Sequence, residues 1–105
     1  MILVHIIVKT KKQAREIAEL LLAENLIYSA SLTTKKVFRK SSITCEVNFE
    51  KQTIIDGKTK ALLFSTINKK LRANYTENMP LLYAVPIIYM DEEQIQALRD
   101  QTAKV

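Results

Sequence analysis

Few side chains of this sequence are suited to chemistry, and they are widely separated. His5 lies within the apolar run Ile2–Val8, where a histidine more often packs in the core than binds a metal. Cys45 is the only cysteine and alternates with apolar residues, which predicts a buried, small side chain. A metal site, with copper or zinc as the candidate ion, would need ligands other than cysteine or ligands from several subunits. His5 and Cys45 are the candidates that each chain offers.

The carboxylates offer little more for catalysis. Glu46 and Glu50 are four residues apart in a predicted strand, on one face, but pairing with basic residues of the opposite strand is favoured over an acid–base pair. One histidine and one glycine leave no Ser-His-Asp or Cys-His arrangement and no glycine-rich phosphate loop. The sequence therefore predicts a protein that is not an enzyme.

Composition predicts one domain over residues 1–105. A chain of this length with 48% hydrophobic residues can bury a single core. No apolar stretch approaches the roughly 20 residues of a membrane span, and Ile2–Val8 is too short for the core of a signal peptide. We therefore expect a cytoplasmic protein with no membrane partner. The net charge is +5, but basic residues are spread over every predicted element, which disfavours nucleic acid as a partner.

The spacing of apolar residues predicts the elements of the first half. The β-branched run Ile2–Val8 is typical of a central strand that is covered on both faces. Apolar residues then recur at helical spacing over Lys11–Asn25, with Thr10 as the N-cap. The stretch Leu26–Ile55 predicts two long antiparallel strands that turn near Arg39–Ser42.

The second half repeats the alternation of helix and strand. Asp56 is the predicted N-cap of a helix over about Lys58–Asn74. A fourth strand follows over Leu81–Met90, and Pro86 places it at a sheet edge or a bulge. Asp91 then begins a short C-terminal helix. The order β-α-β-β-α-β predicts an α+β sandwich of the ferredoxin-like class.

Three stretches resemble the CutA, or divalent-cation-tolerance, family, which is related in fold to the PII signalling proteins. The segment 14–21, closing at Glu24-Asn25-Leu26, resembles the family's A-x-x-I-A-x-x-L helix and the following E-x-x-L. The distance from Ser29 to Lys58-Thr59 matches the family's long β2–β3 hairpin, which ends in a K-T pair. The segment 79–87 resembles the family strand V-P-x-I-x-A-x-P-V.

The resemblance implies a homotrimer in which three sheets pack around a three-fold axis and each hairpin reaches a neighbour. It also implies a role in divalent-cation tolerance or in PII-like sensing of a small ligand. Four family landmarks differ. The family cysteine falls on Ser29, the asparagine two residues later on Ser31, the H-P-Y-E segment on residues 75–78, and the glutamate after V-P on Leu81. The resemblance therefore supports the fold and the trimer better than metal coordination.

The resemblance further implies a cleft between subunits for a metal ion or a small metabolite. Its predicted border consists of Lys58, Tyr75, Glu77 and Asn78.

Two other classes of protein share this predicted fold. A basic RNA-binding module would need stacking aromatic residues on the open sheet face, where the strands offer mainly Ile, Val and Leu. A small-molecule regulatory domain of the ACT type normally accompanies an enzyme domain.

Overall fold

The computed structural model describes residues 1–104. The strands are β1 (Ile2–Val8), β2 (Ser29–Lys40), β3 (Val47–Thr59) and β4 (Leu81–Pro86). The helices are α1 (Lys11–Ala23), α2 (Phe64–Asn74), which a 3₁₀ turn precedes at Ala61–Leu63, and α3 (Glu92–Gln101). The order confirms the predicted α+β, ferredoxin-like class.

The four strands form one antiparallel sheet in the order β2-β3-β1-β4. β1 is central, as predicted, and β4 is an edge strand, one of the two positions that Pro86 predicted. The predicted extension of β4 to Met90 is wrong. Ile2, the first residue of β1, pairs with Pro86, so no residue of β1 is left to pair with the residues that follow.

The core lies between one face of the sheet and the helices α1 and α2. Thr10 caps α1 as predicted, since its side chain accepts a hydrogen bond of 3.2 Å from the Gln13 N–H. Asp91 caps α3 in the same way. The core side chains that are at most 1% exposed include Val4, Ile6, Ile55, Ile17, Leu21, Ile67 and Leu71.

The predicted start of the second helix is wrong, because Asp56 lies within β3 and α2 begins only at Phe64. Gly57 packs so closely that a Cβ atom there would lie 3.1 Å from Ile27 Cγ2. The Thr59 hydroxyl donates a hydrogen bond of 2.6 Å to the Leu26 carbonyl. These tertiary contacts hold residues 56–59 in the strand, against the local preference for a helix.

The β2–β3 turn extends over residues 41–46, beyond the predicted Arg39–Ser42. The Ser41 hydroxyl accepts hydrogen bonds from the backbone N–H groups of Ile43 and Thr44, at 3.2 and 3.3 Å. Such bonds compete with strand pairing. Cys45 is therefore exposed in the turn, which corrects the predicted buried role. Glu46 lies outside β3, so it does not share a strand face with Glu50.

The hairpin makes the chain extended. Its radius of gyration is 15.3 Å, whereas a compact chain of this length has about 13 Å. Its accessible surface is 7277 Å², against about 6,000 Å² for a compact monomer of this mass. The apolar side chains of Phe38, Val47 and Phe49 are more than half exposed on the hairpin. No other element of residues 1–104 covers them.

Candidate functional site

One face of the sheet lies opposite the core that α1 and α2 cover. We call this surface the open face and define it by alternate residues of β1 and β4, which the strand register places side by side. The three residues of β1 are partly buried, and those of β4 are 40–57% exposed. The chain itself therefore covers β1 on the helix side only. The open face consists of Leu3, His5, Ile7, Leu81, Tyr83 and Val85.

His5 lies at the centre of the open face, between Asp56 on β3 and Tyr83 on β4. Its Nδ1 atom is 2.5 Å from Asp56 Oδ1, and the two side chains are 20% and 27% exposed. The imidazole stacks on the Tyr83 ring, with 4.8 Å between the centroids and 24° between the planes. His5 is thus packed, as the sequence predicts, but against a carboxylate.

At this distance the His5 imidazole is the available donor to Asp56 Oδ1, which is buried and has no other donor among residues 1–104. The two side chains therefore form a close polar pair, and burial of the carboxylate oxygen depends on it. Sequence analysis missed Asp56 because it placed the residue at a helix start. A strand assignment for residues 53–59 would have placed Asp56 opposite β1.

A groove of 530 Å³ lies where the hairpin leaves the sheet, beside the C-terminal end of β1. Gln52 is only 6% exposed there, and its Nε2 donates a hydrogen bond of 2.8 Å to Glu50 Oε1. Basic and acidic side chains face the same space, which suits a small polar ligand that carries both charges. The charged lining residues are Lys9, Arg39, Glu50 and Glu77.

The structure brings together only part of the predicted cleft border. Glu77 and Asn78 line the groove. Tyr75 packs against the hydrophobic core, and Lys58 pairs with Leu3 near the start of β1. Since Leu3 is about 13 Å along the strand from the groove at Ile7, the four residues do not form one site within a chain. A grouping across subunits stays a prediction.

The two predicted metal ligands are also far apart within a chain. Cys45 lies beyond the first residue of β3, whereas His5 pairs near the other end of that strand, about 30 Å away. Over residues 1–104 no group of three or more His, Cys, Asp or Glu side chains could hold a metal ion. His5 and Asp56 are a pair of possible ligands that lie side by side. The same residues include no helix long and apolar enough to span a membrane.

Tyr75 gives the molecule a pH dependence at alkaline pH. Burial, and secondarily the Glu16 carboxylate, raise the pKa of the Tyr75 hydroxyl above its usual value of 10.0. The unfolded chain therefore ionises first. The resulting stability is present below pH 10 and is lost as the pH rises through the native pKa. In urea titrations at pH 8 and pH 11, Tyr75→Phe should lose less stability between the two pH values than the wild type. An equal or greater loss would contradict this assignment.

The fold defines a ferredoxin-like class with a projecting β2–β3 hairpin and a C-terminal helix, and solved structures of CutA proteins share it. CutA1 from Pyrococcus horikoshii superimposes with a TM-score of 0.84 at 20% identity, covering 99% of this chain and 100% of that chain. The divalent cation tolerance protein from Thermus thermophilus gives 0.83 at 24% identity, with 98% and 100% covered. The periplasmic divalent cation tolerance protein CutA from Archaeoglobus fulgidus gives 0.82 at 19% identity, with 96% and 98% covered.

The chain therefore has the CutA fold over nearly its whole length, which confirms the fold that the sequence resemblance implied. No protein-family model and no curated protein sequence matches the chain.

Proposed function

We propose that this protein is a CutA-type homotrimer that is not an enzyme and acts in divalent-cation tolerance or in PII-like sensing of a small ligand. The observation that carries the proposal is the open face, which lies on the CutA fold beside a hairpin that no other element of residues 1–104 covers. We expect the protein in the cytoplasm, although the Archaeoglobus neighbour is described as periplasmic.

The open face supports assembly on physical grounds. Leu81, Tyr83 and Val85 form a continuous apolar row on an edge strand, next to the partly buried side chains of β1. Burial of such a row in a partner stabilises association, while leaving it in water favours aggregation. β2 is a second edge, 12 residues long.

The number of subunits comes from the CutA resemblance. In the proposed trimer, the hairpin of one chain packs on the sheet of the next. A contact between two different surfaces closes into a ring of three when the rotation from one subunit to the next is a third of a full turn, and otherwise it forms an open filament.

The structure offers two places for a ligand. The groove beside Glu77 and Asn78 suits a small metabolite with charges of both signs. The His5–Asp56 pair combines an imidazole with a carboxylate, which are donor types that divalent transition-metal ions accept, and a cation there would need further ligands from other subunits. The family's own cysteine and H-P-Y-E positions are replaced here, so a cation would have to use other residues.

Equilibrium dialysis of the chelator-free protein against zinc, copper(II) and magnesium tests the cation role. We expect the oligomer to retain zinc or copper and to bind magnesium much more weakly. An imidazole ligand suits zinc and copper, whereas magnesium prefers ligands that are all oxygen. An oligomer that retains none of the three ions would contradict the cation role and leave the groove and its metabolite as the proposed function.

A second candidate function is favoured by one surface of the hairpin. The Phe38 and Phe49 rings lie 5.6 Å apart, and Lys36 Nζ is 5.1 Å from the Phe49 centroid. Lys36 also lies directly opposite Lys51, an unfavourable like-charge pair that an anion would relieve. Basic residues around exposed aromatic rings suit single-stranded RNA.

The salt dependence of RNA affinity tests this alternative. If the protein contacts three or four phosphates, raising the salt concentration from 50 to 200 mM should weaken RNA binding by about 20- to 50-fold. Absent binding at low salt would end the alternative.

A further inference from the structure

We infer that a further groove of the chain binds an aliphatic carboxylate, that is, a small molecule with an anionic head and an apolar chain. The groove lies between the 3₁₀ turn, α3 and the residues after α3, and we call it the C-terminal groove. Its volume is 420 Å³, which is within the usual range of about 300–1,000 Å³ for small-molecule sites. It shares no lining residue with the open face or with the groove beside Glu77 and Asn78. The residues that line it are Met1, Lys60, Ala61, Leu62, Arg99 and Lys104.

Every charged side chain that lines the C-terminal groove is positive. These are Lys60, Arg99 and Lys104, and none of them forms an ion pair within residues 1–104. Asp100, the acidic residue next to Arg99, accepts a hydrogen bond of 2.9 Å from Gln96 and lines a different groove. Three positive side chains around one space create a potential that attracts an anion.

The rest of the lining is apolar. Met1, Ala61 and Leu62 supply it, and Leu62 is 73% exposed although its neighbour Leu63 is buried in the core. An apolar chain that covers Leu62 would remove this surface from water. An inorganic anion such as phosphate would leave the surface exposed. The lining therefore favours an anion that carries an aliphatic chain.

Hydrogen bonds hold the positive side of the groove in place. Lys60 Nζ donates to the carbonyl oxygens of Ala103 and Thr102, at 3.0 and 3.4 Å. Because these acceptors carry no net charge, the ammonium group keeps its positive charge beside the groove. The Ala103 N–H donates a hydrogen bond of 2.7 Å to the Asn25 carbonyl, which fixes the segment before Lys104. Groups that are already ordered lose less freedom when a ligand binds.

Calorimetry at low salt tests the two parts of the ligand separately. Decanoate should bind at least tenfold more tightly than hexanoate, because it has four more methylene groups and each one that is fully buried strengthens binding by about fourfold. Decyltrimethylammonium has a chain of the same length with a cationic head and should not bind. Equal affinities for decanoate and hexanoate, or binding of the ammonium compound as tightly as decanoate, would overturn the inference.

Charge variants test the positive side of the groove. Arg99→Gln and Lys104→Gln should each weaken decanoate binding by about two- to fivefold, the range of an exposed ion pair, and the double variant by about tenfold. Arg15→Gln is the matched control, since it removes the same charge from an exposed position on α1, outside the groove. It should bind decanoate as the wild type does. Equal weakening in Arg15→Gln and Arg99→Gln would show attraction to the net charge alone and overturn the inference.

Methyl NMR signals locate the ligand in the wild type. Decanoate should shift the signals of Ala61 and Leu62 and leave those of Leu81 and Val85, on the open face, unchanged. Shifts confined to the open face would overturn the inference. Binding to vesicles of anionic lipid without binding of decanoate would also overturn it, because the occupant would then be a membrane surface. Neither result would affect the proposed trimer or its cation and sensing roles, because the C-terminal groove is separate from those sites.

Discussion

Replacement of Ile55 by alanine should lower the free energy of unfolding by about 2–5 kcal/mol. Ile55 is fully buried on β3, opposite Ile6 of the central strand, within the core between the sheet and the helices. The substitution removes three carbons from a region that cannot collapse easily, because rigid strands flank it. A loss of this size is a large part of the stability of a small domain. Urea titration at a fixed protein concentration measures it.

Ile88→Ala is the matched control for this prediction. It makes the same chemical change at a side chain that is 80% exposed between β4 and α3, outside the hairpin. We expect a change within about 0.5 kcal/mol. Similar losses in the two variants, or a loss below about 1 kcal/mol for Ile55→Ala, would show that the core is not where the structure places it.

Val85→Glu should dissociate the assembly while leaving the chain folded. Val85 is 40% exposed on the edge strand β4, so a carboxylate there remains in water in a single chain. In the proposed trimer the same carboxylate would be buried without a partner, which costs several kcal/mol. We expect the association constant to fall by about a hundredfold or more, since each 1.4 kcal/mol is a factor of ten. Sedimentation over a range of protein concentrations measures it.

Leu62→Glu controls for the effect of a new charge at an exposed leucine. Leu62 is 73% exposed on the 3₁₀ turn before α2, away from the open face. Its assembly should match that of the wild type. If Leu62→Glu dissociates the protein and Val85→Glu does not, the open face is not the interface.

Local patterns were sufficient to predict most of the fold. β1 is a continuous β-branched run, and α1 has a strong helical period with a clear N-cap at Thr10; the structure confirms both elements. The edge position of β4 followed from Pro86, whose backbone cannot donate to a strand ladder. These features depend on residues that are close in sequence, which explains why they could be read from it.

The errors concern contacts between distant residues. β3 extends through Asp56 because Gly57 and Thr59 contact the segment that precedes β2. The helical spacing that follows gives no indication of those contacts. The hairpin turn extends beyond the predicted residues because the Ser41 hydroxyl accepts hydrogen bonds from the backbone N–H groups of residues 43 and 44.

The sequence predicted the residues of the candidate site less completely than the fold. His5 could be identified as unusual from the sequence. Its neighbour Asp56 could not, because the predicted strand ended at Ile55, one residue before the position that pairs with His5. Glu77 and Asn78 line the groove, whereas its other wall, from Arg39, Glu50 and Gln52, arises from the path of the hairpin.

The mass of the unmodified protein in solution tests the central claim most directly. Native mass spectrometry, supported by sedimentation at several concentrations, should show a species of about 36 kDa, three times the 12.0 kDa of one chain. This result would account for the open face and the uncovered hairpin together. A single chain of 12.0 kDa at every concentration would contradict the proposed assembly, because the open face would then have no partner subunit to cover it.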